Sequence, residues 1–119
     1  VREWRRRYRV EHHANRQRAH TIRRLKRLLA HDTSVSEAIG LAATAYGVDE
    51  GTLRRKAWCE SHYYPGARNP SGASGLYQFL PSTFSSTPYR RFSIWSPYAN
   101  ALAAGWMHAH GRGGEWVCQ

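Results

Sequence analysis

The chain has 119 residues, 41% hydrophobic and 22% charged, a composition that points to one globular domain and excludes wholesale disorder, a collagen-like repeat and a coiled-coil rod. Its longest nearly apolar run, Ile39 to Val48, falls far short of the ~20 residues that a membrane-spanning helix needs, so no span is expected. The net charge of +10 is lopsided: residues 1–33 carry eleven Lys/Arg against three Asp/Glu, whereas residues 34–119 carry seven against five.

Two segments follow from this imbalance, a basic arm over 1–33 and a nearly balanced domain over 34–119. The opening VREWRRRYRV has neither an initiator Met nor the apolar core of a signal peptide. Any leader has therefore been removed, or the chain is part of a longer protein. Residues 3–31 read as a long, mostly solvated helix: Trp4, Tyr8, Ile22, Leu25 and Leu29 recur at helical spacing, with Glu11, His12, Asn15 and Arg18 interrupting the stripe. So basic an arm implies an anionic neighbour, such as a wall polymer, nucleic acid, lipid surface or acidic partner.

Ser34-Val-Ser-Glu37 has the form of a capping box and predicts a helix from about Val35. Its apolar face is Val35, Ala38, Ile39, Ala42 and Ala45, and Gly47 supplies the stop. Asp49 caps a second helix over about Glu50 to Ser61, with Leu53, Ala57 and Trp58 facing inward. Residues 62–75, HYYPGARNPSGASG, have loop composition, and Leu76–Phe79 is too short an apolar piece to assign. Pro81 opens a further helical turn, and Ser96-Pro97 starts a last helix of about 97–110 that Gly111 ends.

Glu60 and Glu115 are the only side-chain carboxylates from Trp58 onward. Glu60 falls at a helix C-terminus, beside apolar residues and ahead of an aromatic, Gly-rich loop. The negative end of the helix dipole and partial burial both disfavour its charge, which suits a general acid at neutral pH. The cysteines, Cys59 and Cys118, form no C-x-x-C, so neither a zinc ribbon nor a thioredoxin-like site is expected, and both free thiols and a bridge remain open. His108-x-His110 and Glu60-x-His62 are spaced i, i+2 and do not share a helix face, so no metal or other cofactor is assigned.

The stretch from Glu60-Ser61 through Tyr63, Pro65, Ala67, Asn69, Gly72-Ala73-Ser74-Gly75-Leu76, Gln78 and Pro81-Ser-Thr83 resembles the catalytic region of the soluble lytic transglycosylases, in the lysozyme-like superfamily. Asn100-Ala-Leu-Ala-Ala104, Gly111 and Glu115-Trp116-Val-Cys118 are similar to the shortened domains of resuscitation-promoting factors, which place a Cys just before the catalytic Glu and pair it with a Cys after a late Trp. The resemblance covers about residues 35–119. It implies a mainly α, compact lysozyme-like domain with a long catalytic loop or minimal β piece, preceded by the basic helical arm.

It also implies Glu60 as catalytic acid then base, and substrate contacts from Ser61, Tyr63, Asn69, Tyr77, Gln78 and Leu80. Asn69 stands where the family often has Ser, and Tyr77 and Leu80 where it often has Met. From chemistry alone, Asn69 is a sugar-binding amide or a turn former, and Tyr77 a sugar platform or a core residue. A Cys59–Cys118 disulfide is implied, in an oxidising compartment. The expected partners are peptidoglycan glycan strands, cleaved at the MurNAc-β-1,4-GlcNAc bond, and anionic wall polymers along the arm. No base-reading motif supports nucleic acid, and a monomer is expected. The expected setting is extracellular or wall-associated, or on a phage particle. A muramidase-type hydrolase and a non-catalytic wall-binding module are the alternatives.

Overall fold

The computed structural model describes residues 34–116 and Cys118; the expected helix over 3–31 and the whole basic arm lie outside the described residues. Residues 34–46 are helical and are termed α1. Its buried face is Val35, Ala38, Ile39, Ala42 and Ala43, an i, i+3, i+4, i+7, i+8 stripe. Ala45, expected on that face, is exposed, because the stripe continues through Ala43 instead. Ser34 is already helical, so the capping-box reading does not hold. The Glu37 carboxylate instead accepts from the Tyr98 hydroxyl at 2.9 Å. Gly47 stops the helix in the left-handed region at φ 63°.

Helix α2, Glu50–Ser61, begins where Asp49 predicted: the Asp49 carboxylate accepts from Thr52 N at 2.8 Å and from its hydroxyl at 2.9 Å. These bonds hold the Asp49 carboxyl below the usual range. Leu53 and Ala57 are fully buried, as the spacing required. Trp58 is not; it is 53% exposed, because its indole turns toward the rings of His62 and Tyr63 rather than the core.

The chain from 62 to 80 contains no extended sheet, only isolated antiparallel bridges pairing Ser74 with Arg68 and with Phe79. These correspond to the minimal β piece expected. The unassigned segment after Gly75 turns out to be core: Leu76, Tyr77 and Phe79 are buried. A short helix α3, Pro81–Ser85, follows with Pro at its first turn, and α4 runs Pro97–Ala109 behind the Ser96 cap. Helix α4 is small-residue rich and packs closely on α1. A Cβ on Gly105 would lie 3.1 Å from the Ala42 carbonyl and 2.9 Å from the Tyr46 ring. A 3₁₀ turn, Gly113–Glu115, then leads to Trp116, whose ring packs edge-on against Phe79 and Tyr77.

Asn100 joins α4 to the loop. Fully buried, it accepts from Tyr77 N at 2.8 Å and donates to Ile94 O at 2.8 Å and Ser74 O at 3.4 Å. Gly75 makes that approach feasible: its φ is +84°, and a Cβ there would sit 2.3 Å from Asn100 Nδ2. The described residues thus form a mainly helical fold in which α4 holds the 74–79 segment against the end of α2. No described helix is long and apolar enough to cross a membrane.

Candidate active site

Glu60 occupies the last turn of α2, and the chain reverses immediately after it. His62 and Tyr63 are both left-handed, at φ 52° and 63°, and the His62 N–H closes on the Trp58 carbonyl at 2.9 Å. Left-handed backbone is unfavourable for residues with a Cβ. Tilted ring contacts of His62 and Tyr63 with Trp58, at centroid distances of 4.5 and 5.3 Å, offset that cost. The third left-handed non-Gly residue among those described is Gln78, at φ 53°. All three lie at or beside one recess, a clustering of strain that is characteristic of functional sites.

That recess, of about 250 Å³, is lined by Glu60, Ser61 and His62 on one side and by Arg68, Asn69 and Gln78 on the other. A second recess of about 290 Å³ is lined by Gln78, Leu80, Thr83, Glu115 and Trp116 among others. Gln78 belongs to both, so the two adjoin along its side chain.

The Glu60 carboxylate is half-buried, and burial pushes its protonation above the usual carboxylate range. Two interactions oppose this: a hydrogen bond from Cys118 N to Glu60 Oε1 at 3.3 Å, and the positive charge of Lys56 one turn back. Burial was legible in the sequence; those two opposing contacts were not.

The structure divides the expected contacts. Gln78 Nε2 donates to Ala67 O at 2.8 Å and Gly75 O at 2.9 Å, which leaves Oε1 as an acceptor. Asn69 is the reverse case. Its Oδ1 accepts from Ser71 N, Ser71 Oγ and Ala73 N, so the turn-forming role is real and Nδ2 remains as a donor. Ser61 Oγ donates to Leu76 O at 2.6 Å and Ala57 O at 3.1 Å, so its proton fastens the helix end to the loop instead of meeting a ligand. Leu80 and Tyr63 are exposed, at 45% and 37%. Tyr77 corrects its expectation: it is fully buried and its hydroxyl donates to Leu53 O at 2.8 Å, so no face is left for a sugar.

Cys59 and Cys118 are bridged, with their Cα atoms 6.0 Å apart. The helical angle between Cys59 and Glu60 predicts a bridge on the flank. The structure brings it to the rim of the recess, because Cys59 lines it and the Cys118 N–H reaches the Glu60 carboxylate. Glu115 lines the second recess and not the first; Arg112 pairs with it through Nε and Nη2, which lowers its protonation below the usual range. The histidines thought of for metal have other partners: His108 Nε2 meets Lys56 Nζ at 3.0 Å, and His110 Nδ1 meets Trp106 O at 2.7 Å.

Arg68, His62 and the buried Lys56 were missed as site residues. Arg68 and His62 lie within the recognised stretch, but only the loop's path turns them onto the recess. Nothing in the sequence marks Lys56 as buried.

A mainly helical domain with a half-buried carboxyl at a helix end, beside a loop with only isolated bridges, is consistent with a lysozyme-like fold. The chain belongs to the Transglycosylase SLT domain family, whose model matches residues 37–107. Members of that family are lytic transglycosylases acting on peptidoglycan. No solved structure matches the chain.

Proposed function

We propose that this chain is itself a lytic transglycosylase that cleaves the MurNAc-β-1,4-GlcNAc bond with Glu60 as acid and then base. One observation carries the reading: among the described residues Glu60 is the sole carboxylate lining its recess, where burial shifts it toward the protonated form. A two-carboxylate glycosidase places its pair about 5–5.5 Å apart for retention or about 6.5–9.5 Å for inversion. Glu115 lines the neighbouring recess and is held by Arg112, an arrangement that suits it to structure more than to catalysis.

The chemistry then runs within the substrate. Glu60 delivers its proton to the glycosidic oxygen as the C1–O bond breaks. The N-acetyl group of the MurNAc stabilises the cation. The Glu60 carboxylate next takes the proton of the C6 hydroxyl, whose oxygen closes on C1. The products are a free GlcNAc 4-hydroxyl and a 1,6-anhydroMurNAc end, with no water consumed. Asn69 Nδ2 supplies a donor and Gln78 Oε1 an acceptor to hold the sugars, and Leu80 offers an apolar surface in the second recess. The bridge between Cys59, just before the acid, and Cys118, after the late Trp116, supports kinship with the shortened resuscitation-promoting-factor domains. The basic arm over 1–33 engages anionic wall polymers, and the protein acts at the cell wall, from a cell or a phage particle.

Mass spectra of muropeptides released from purified walls test this. Anhydro ends, each lighter than the reducing end by one water, are expected, and Glu60→Gln should bind walls without clearing them. Reducing MurNAc ends, together with full loss of activity in Glu115→Gln, would establish a two-carboxylate hydrolase. A wild-type chain that binds walls and never clears them would be a wall-binding module.

A further inference from the structure

Lys56 is the only buried charged residue among those described, at 2% exposure. It stands one helical turn before Glu60, on the same side of α2. No described carboxylate lies within ion-pair distance of it. Its partners are Gly113 O at 2.9 Å, His108 Nε2 at 3.0 Å and the Trp116 ring, 4.5 Å below the ammonium. His108 stacks in turn on Trp116 at 5.6 Å. An ammonium buried without a carboxylate is expensive, and an apolar side chain would ordinarily pack there at lower cost.

What Lys56 holds is informative. All three partners belong to the end of α4 and to the segment that follows it. The same segment carries Cys118, whose N–H bonds Glu60 Oε1 and whose sulfur is tied to Cys59. Helix α2 thus grips one C-terminal strap at Lys56 and at Cys59, and the strap returns a hydrogen bond to Glu60.

We propose that Lys56 is a positioning residue for Glu60: it clamps the strap that donates the Cys118 N–H, and its charge one turn away tunes how readily Glu60 holds its proton. This rests on the reading of Glu60 as the acid. The protonated Lys56 needs an acceptor, so His108 must be neutral, with its proton on Nδ1. Burial and the adjoining ammonium both lower the protonation of His108, which agrees with that state. Burial lowers Lys56 as well, while attraction to Glu60 sustains its charge. The other charged or titratable groups lining the recess with Glu60 are His62 and Arg68; Glu115 is engaged by Arg112.

The test is the pH profile of wall clearing by the full chain and by Lys56→Met, His108→Leu and His108→Gln. Each variant is checked for cooperative melting and for an intact bridge by mass. Without Lys56, Glu60 loses a cation and the clamp on its hydrogen-bond donor, so it stays protonated to higher pH. The alkaline limb of Lys56→Met should therefore move up by about half a pH unit or more. The maximum rate should fall several-fold as the strap loosens. His108→Leu should shift the limb in the same direction by less, and His108→Gln, which restores an acceptor, should bring it back.

A folded, bridged Lys56→Met or His108→Leu whose limb coincides with the wild type, or moves down, overturns the proposal. Should neither variant fold, nitrogen NMR of the wild type decides: an Nδ1–H tautomer of His108 beside a protonated Lys56 is expected, and an Nε2–H tautomer overturns it. Full activity in Glu60→Gln is a different result, because it removes the assignment of the acid itself.

Discussion

Replacing Asn100 with Leu keeps the branch at Cγ, adds apolar bulk and removes the hydrogen bonds that Asn100 makes to Tyr77, Ser74 and Ile94. The buried Tyr77 N–H loses its acceptor at 2.8 Å, and the Ile94 carbonyl loses its donor at 2.8 Å. The contact to Ser74 O, at 3.4 Å, is too long to count for much, and that carbonyl also accepts from Phe79 N at 3.0 Å. A buried donor left unsatisfied costs about 1–3 kcal/mol, and the half-buried carbonyl costs about 1 kcal/mol more. Leucine recovers little in return, since Asn100 is already fully buried against Gly75 and a branched side chain meets that tight approach. The net loss should be about 3 kcal/mol, a large share of the roughly 5–15 kcal/mol that a domain possesses. Equilibrium unfolding in urea, with the disulfide intact, measures it. A loss below about 1 kcal/mol for Asn100→Leu, with an unchanged urea slope, would refute the claim that this side chain holds the loop in place.

Reducing the Cys59–Cys118 bridge, which spans a sequence separation of 59 residues, should cost about 4 kcal/mol by loop entropy, read as a fall in melting temperature under a phosphine reductant, with intact mass confirming reduction. It should also slow wall clearing, since the strap that donates to Glu60 is released at one of its two anchors. Stability should also depend on pH through Glu60. Its folded pKa is raised, so the native state binds the extra proton and the stability this gives is present at low pH and lost as pH rises through the folded value. Glu60→Gln should consequently gain stability over the wild type as pH rises from the unfolded carboxylate range, about 4.3, through the folded value, with the difference flat below that range, as denaturant titrations at a series of pH values will show.

Local chemistry fixed the punctuation of this chain before any packing was considered. Asp49 and Ser96 cap their helices through side-chain oxygens, Pro81 and Pro97 sit in first turns, and Gly47 ends α1, because each effect acts within a few residues. The partial burial of Glu60 also followed from its place at a helix end beside apolar neighbours. Ser34 shows the limit of such signals: the S-x-x-E pattern was present, yet Ser34 is already helical and the Glu37 carboxylate accepts from Tyr98, 61 residues away. Lys56 lies wholly beyond local reasoning, and local chemistry leaves Tyr77 open between a sugar platform and a core residue. A tyrosine in a glycine-rich loop and a lysine in a basic helix are ordinarily exposed, and each is buried here because distant groups satisfy its polar end: Leu53 O for the phenol, and His108, Gly113 O and the Trp116 face for the ammonium. Such partners are brought together only when α4 and the C-terminal strap close on α2. The candidate acid, Glu60, was therefore legible in the residues beside it, whereas the hydrogen bond from Cys118 and the groups that bury Lys56 came from chain segments some fifty residues further on.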